Sequence, residues 1–309
     1  AELMDVCGTA LPDAHSDAKA MAALAKAVSD YHCFENVGVP FCMTVEAEAM
    51  GAKVDMGSRI YEPHVKECVL ESVCEMEKLV PMDLSKGRAK VVLDAISALK
   101  AQCPDVPVIG NLTGPVSTAM SLMDPTVFCR ELRKKNSQAH DYMNFITEQL
   151  LRFGLAQIEA GADVITISDP SGTGEILGPK YFGEFAVPCL NRLVDAFREK
   201  GVGTIVHICG QMNTVYAQMA EVRSHALSFD AIVSMRGARE NLPGRVLMGN
   251  VSAYGLEFGT PEKIRTMTQA CLNTGVDILA PACGLGMKTP LVNIQAMLST
   301  LKEVHNGEH

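Results

Sequence analysis

A parallel α/β fold is what this sequence predicts, from three observations. Short β-branched runs alternate along the chain with stretches of helical periodicity. Those runs are continuously apolar rather than strictly alternating, as parallel strands covered on both faces are. Glycines stand where helix gives way to strand, at Gly161, Gly201 and Gly275, where a helix C-cap favours a residue free to adopt the left-handed conformation.

In chain order, a helix is expected over residues 17–31 and a strand over 38–43. Helical periodicity returns over 63–79 and 85–103, and an apolar run at 106–112 is the second strand. A long helical stretch over 124–152 leads to a strand at 163–168. The pattern repeats with helix 181–200 and strand 204–208, then helix 212–224 and strand 231–234. A strand at 246–249 comes next, and a helix at 261–273 opens on Thr260-Pro261-Glu262. There Thr caps and Pro suits the first helical position. A strand at 277–280 precedes the last helix, 290–304, which opens on Thr289-Pro290.

This makes seven strands, and the chain opens on a loop and helix. A closed barrel needs an eighth strand at the front. Either that strand lies outside this sequence, or the sheet is open, or a later segment fills the gap. No Gly/Ser/Pro-rich linker divides the chain, so residues 1–309 are expected to form one domain. Roughly 250 residues is typical of a (β/α)8 barrel.

The composition excludes several classes. The chain is 48% hydrophobic and 20% charged, which is a globular and not a disordered balance. Its net charge is −9 and no Lys/Arg run is long enough to track phosphates, which argues against nucleic acid as a partner. No stretch approaches the ~20 apolar residues of a membrane span, and no signal peptide is visible. Eleven cysteines without a regular framework fit a reducing cytoplasm better than a disulfide scaffold.

In such folds functional groups collect at the C-terminal ends of the strands. The polar pieces fall there: Thr44-Val45-Glu46 with Glu48, Asn111-Leu112-Thr113-Gly114-Pro115, Ser168-Asp169-Pro170-Ser171-Gly172, His207-Ile208-Cys209-Gly210, Asn250-Val251 and Cys283-Gly284. His207, Cys209 and Cys283 are the candidate metal ligands. One imidazole and two thiolates suit zinc, and three ligands leave the open position of a catalytic site. Most cysteines are inert core residues, so H-x-C alone is weak; Cys283 at a second strand end strengthens it.

The H-x-C of His207-Ile208-Cys209-Gly210, the distant Pro281-Ala282-Cys283-Gly284 and the tail Lys288-Thr289-Pro290-Leu291-Val292-Asn293 resemble one branch of the uroporphyrinogen decarboxylase superfamily. That branch comprises the zinc-dependent corrinoid:thiol methyltransferases. Glu46-Ala47-Glu48-Ala49-Met50-Gly51-Ala52 and Gly110-Asn111-Leu112-Thr113-Gly114-Pro115 are also similar to its early segments. The resemblance runs from about residue 38 to about residue 300. It implies a (β/α)8 TIM barrel, lacking its first strand in this chain, with zinc at its mouth. Ser234-Met235-Arg236 departs from the family, which often has an acidic residue near this point.

The resemblance further implies transfer of a methyl group from a methylated corrinoid protein to a small thiol, coenzyme M first among the candidates. The corrinoid (cobalamin) is expected on a partner: Asp13-Ala14-His15 begins the D-x-H-x-x-G cobalamin signature, but Ala18 stands where it requires Gly. Asn111, Asp169 and Lys288 are the expected substrate contacts. Lys288 would hold an anionic tail; Asp169 would touch substrate or orient His207, or else cap a turn with Pro170. Glu46 and Glu48 are candidates for a fourth ligand or for an exposed helix start. Two rivals are a corrinoid-dependent demethylase of the same superfamily and a non-catalytic zinc-binding scaffold subunit. A tetrapyrrole decarboxylase would leave the three soft ligands without a role.

Overall fold

The computed structural model describes residues 1–305 and 307. Nine strands occur among them: β1 (Val37–Val39), β2 (Lys53–Asp55), β3 (His64–Glu67), β4 (Val108–Thr113), β5 (Val164–Ser168), β6 (Gly203–Ile208), β7 (Ala226–Phe229), β8 (Val246–Val251) and β9 (Ile278–Pro281). Seven build one curled parallel sheet in the order β1-β4-β5-β6-β7-β8-β9, each paired with its successor. Helices run between successive strands, so the sheet is wound in one direction. β1 and β9 are its two edges.

Exposure along the strands alternates. In β6, Thr204, Val206 and Ile208 are buried, while Gly203, Ile205 and His207 are half-buried. The buried set packs on the helices. The other set faces the hollow of the curled sheet, where functional side chains remain reachable. The core between sheet and helices is dense: Gly154 lies so close to Phe197 that a Cβ there would stand 2.2 Å from the ring.

Local chemistry explains the helix limits. Asp17 accepts a hydrogen bond from Ala20 N at 2.7 Å and starts the helix Ala18–Asp30. Asp124 caps Pro125–Lys134 through Thr126 N and Val127 N. Asn136–Ala160 ends at Gly161, with φ at 114°, and Gly201 and Gly275 also take positive φ. Thr260 caps Pro261–Leu272 as expected, through Lys263 N. Thr289 does not cap: its hydroxyl has no partner, and the last helix begins at Leu291.

Two expectations are corrected. Residues 63–79 hold no long helix; β3 pairs antiparallel with β2, and a 3-10 turn follows over Val73–Lys78. The strand expected at 231–234 lies five residues earlier, as β7. Asp230 ends it by accepting from Ile232 N, which folds the chain into a turn. Among the described residues no helix is long and apolar enough to cross a membrane.

Candidate metal centre

His207 is near the end of β6 and Cys209 immediately past it, and the two-residue period places them on one side. The chain turns at Gly210, where φ is 77° and a Cβ would stand 2.9 Å from Glu175 Oε2. Gly210 N donates to Asp230 Oδ2 at 3.1 Å, which pins the turn. Asn250 Nδ2 donates to the carbonyls of Asp230 and Val233, both at 2.9 Å, holding the β7 loop against the end of β8. Cys283 comes from the far edge. Ala282 N donates to Val251 O at 2.8 Å, so β9 delivers the cysteine beside β8.

The three residues converge. His207 Nε2 lies 3.2 Å from Cys209 Sγ, and Cys209 Sγ lies 3.5 Å from Cys283 Sγ. All three donor atoms are within 4.8 Å of one another, and among the described residues no other group of three or more metal-binding side chains does this. Zinc–sulfur and zinc–nitrogen bonds of about 2.3 and 2.0 Å span donor separations of this size, so the set fits a single zinc ion. His207 Nδ1 is 3.0 Å from Ser228 Oγ, its register partner on β7. Binding a metal through Nε2 leaves the imidazole proton on Nδ1, donating to Ser228.

The electrostatics favour a retained thiolate. Hydrogen bonds from Cys209 and then His207 hold the Cys283 thiol down to about 4. The same pairing with Cys283, followed by burial, pushes the Cys209 thiol well above the ordinary range. The two sulfurs lie within hydrogen-bond reach at 3.5 Å, and a bound cation would displace a proton held between them. Burial, and then the nearby charge of Cys283, push the Glu62 carboxyl up.

The other expected residues lie elsewhere. Asp169 is fully buried, and its carboxylate accepts from Val116 N at 3.1 Å and Ser117 N at 2.7 Å. It therefore neither meets solvent nor touches the His207 ring, whose Nδ1 is taken by Ser228. Its carboxylate serves the start of the helix Pro115–Leu122 and not a turn at Pro170. Glu46 is no exposed helix start: it is buried, accepting from Thr113 N at 2.7 Å and Thr113 Oγ1 at 2.8 Å. Burial pushes its carboxyl up, as it does that of Asp169. Glu48 pairs with Arg88, whose guanidinium also reaches Thr44 and Cys42. Asn111 is half-buried on β4, and its Nδ2 donates to Pro40 O at 3.1 Å. Lys288 is exposed on the loop after Cys283.

Ser228 and Asp230 were missed because β7 was expected too late, which hid a serine facing His207. Among the described residues no other histidine joins a group of three metal-binding side chains; His225 bonds Thr204, and His309 lies outside the described residues.

Residues 1–304 match the family model of uroporphyrinogen decarboxylase (URO-D). The chain is 32% identical over 303 residues to the methylcobamide:CoM methyltransferase MtbA of Methanosarcina acetivorans, covering 97% of this chain and 89% of that protein. It is 33% identical to the methylcobamide:CoM methyltransferase MtaA of Methanosarcina barkeri, over 98% of this chain and 90% of the relative. A solved methyltransferase from Methanosarcina mazei superposes with a TM-score of 0.92 at 33% identity, over 98% of this chain and 90% of that one.

Proposed function

The chain belongs to the uroporphyrinogen decarboxylase family, and on that premise we propose that it is a zinc-dependent enzyme moving a methyl group from a methylated corrinoid protein to coenzyme M. One observation carries the zinc assignment: His207 and Cys209 from the central strand and Cys283 from the edge strand converge with donor atoms within 4.8 Å. A uroporphyrinogen decarboxylase activity would leave that cluster unused.

A zinc ion held by His207, Cys209 and Cys283 would supply the charge that keeps a substrate thiol deprotonated at neutral pH. The chain's own residues do the rest. Ser228 fixes the His207 ring, and Asp230 with Asn250 fixes the turn after Cys209. Two cysteine thiolates already balance a dication, so the acceptor sulfur keeps its negative charge and its nucleophilicity. That sulfur attacks the methyl carbon; the S–C bond forms as the Co–C bond breaks, and the pair stays on cobalt, taking Co(III) to Co(I). The thiol's proton leaves to solvent.

Lys288 is our candidate for the acceptor's anionic end, since it is exposed and five residues from Cys283. Asn111 has its Nδ2 engaged by Pro40, so Oδ1 is what it offers a substrate. The seven strands belong, in our proposal, to one eight-stranded barrel domain whose remaining place lies between β1 and β9. The cytoplasm is the proposed compartment, consistent with the free cysteines.

Methylcobalamin with a panel of thiols tests the function. Zinc-loaded protein is expected to demethylate it fastest with coenzyme M; absence of turnover with every thiol would remove the assignment.

A further inference from the structure

Isolated exposed apolar side chains are ordinary, but several gathered around one feature mark a contact surface. Tyr254 and Phe258 are 75% and 65% exposed, one turn apart on the helix Ala253–Phe258, with ring centroids 4.8 Å apart. That helix begins two residues after β8, whose last residue pairs with Ala282 beside Cys283. Its Glu257 packs on Gly286 in the loop that follows Cys283.

Ile60 and Tyr61, the latter 69% exposed, precede Glu62, which lies within the field of the Cys283 sulfur. Ile232 is exposed in the turn whose Asp230 holds Gly210, next to Cys209. Ile176 is exposed beside Glu175, whose carboxylate accepts from Gln211 N on the same loop. Among the described residues three aromatics are more than 60% exposed, and all three stand here; Tyr31, 41% exposed, follows the helix Ala18–Asp30 on the way into β1, away from the strand ends that carry the cluster.

We propose that this apolar rim is the seat for the corrin macrocycle of the methyl donor, with Tyr254 and Phe258 its principal contacts. The inference rests on the methyltransferase function proposed above. A corrin is a broad conjugated ring edged with methyl groups and neutral amides, so apolar and aromatic side chains match its face. It is too wide to descend among the ligands, and must rest on the surrounding loops for its axial methyl to point at them. A second copy of this chain on the same rim would close the ligand set to any substrate.

The test compares the zinc-loaded protein with a Tyr254→Ala/Phe258→Ala variant and a Tyr31→Ala control. Equilibrium dialysis against methylcobalamin without thiol reads binding independently of turnover. The double variant is expected to raise the methylcobalamin Kd and KM about tenfold, the loss of two aromatic contacts. Zinc content and the KM for thiol stay unchanged, and Tyr31→Ala matches the parent. An unchanged Kd in the double variant overturns the seat, as does a change confined to oligomeric state in gel filtration. A parent that binds no methylcobalamin also overturns it. If the parent binds methylcobalamin, loses that binding in the double variant and yet methylates no thiol, the seat stands and the transferase assignment falls.

Discussion

The ends of β1 and β5 and the ends of β6 and β9 occupy the same topological position, yet they use their polar side chains in opposite ways. After β1 and β5 the carboxylates of Glu46 and Asp169 turn inward and accept from the chain's own donors at Thr113, Val116 and Ser117. At β6 and β9, His207, Cys209 and Cys283 turn toward one another, with the Ser228 side chain engaging His207 from outside the set. A strand end predicts where function can be built. Whether a side chain's bonding capacity is already spent decides where it is built.

Replacing a residue on either side should therefore fail in different ways. Cys283→Ala removes a sulfur on an exposed loop outside the packed core. It should lower bound zinc from about one per chain to near none and thiol-dependent methyl transfer by roughly 10³-fold, with the unfolding midpoint little changed. Metal analysis and the methylcobalamin assay check this, and a large drop in stability would erase the distinction. Asp169→Ala leaves two buried N–H groups unpaired and should cost about 3 kcal/mol in denaturant titrations while zinc is retained.

Ser228 tests the side-chain link between His207 and the neighbouring strand. Ser228→Ala removes the hydrogen bond that orients His207 and should weaken zinc about tenfold in a chelator competition, leaving the fold intact. An unchanged affinity would mean that packing alone sets the ring.

His15 sharpens the contrast from the opposite direction, because it is buried and neither ring nitrogen has a partner. Burial, then the charge of Arg88, lowers it to about 4. The unfolded chain protonates this imidazole near 6.5, so between those values the unfolded state binds more protons. Stability is thus full above about pH 6.5 and is lost as pH falls toward 4, by about 1 kcal/mol between pH 7 and 5.5. A His15→Phe variant should lose that slope; a parallel slope in parent and variant would assign the effect elsewhere.

Much of this was legible in the sequence. Six of the seven sheet strands fall where apolar runs between helical stretches place them, since burial and periodicity act locally. The exceptions have physical causes. The β2–β3 hairpin has largely exposed, charged strands that lack a core-strand pattern, so residues 63–79 read as helix. β7 is only four residues long and fully buried, and the apolar turn after Asp230 drew the expectation past it. The convergence of His207, Cys209 and Cys283 was legible because H-x-C and Cys283 each follow a strand. The spent state of Glu46 and Asp169 was not, because their hydrogen-bond partners come from segments 52 to 67 residues away.

The central claim is that these three ligands hold zinc with a fourth place for the acceptor sulfur. X-ray absorption at the zinc edge tests this directly, on protein with and without coenzyme M. Two sulfurs and one imidazole nitrogen in the zinc shell, rising to three sulfurs when the thiol is added, is the predicted result. A sulfur count that stays at two with coenzyme M bound, or a shell without His207 nitrogen in the parent, would contradict it.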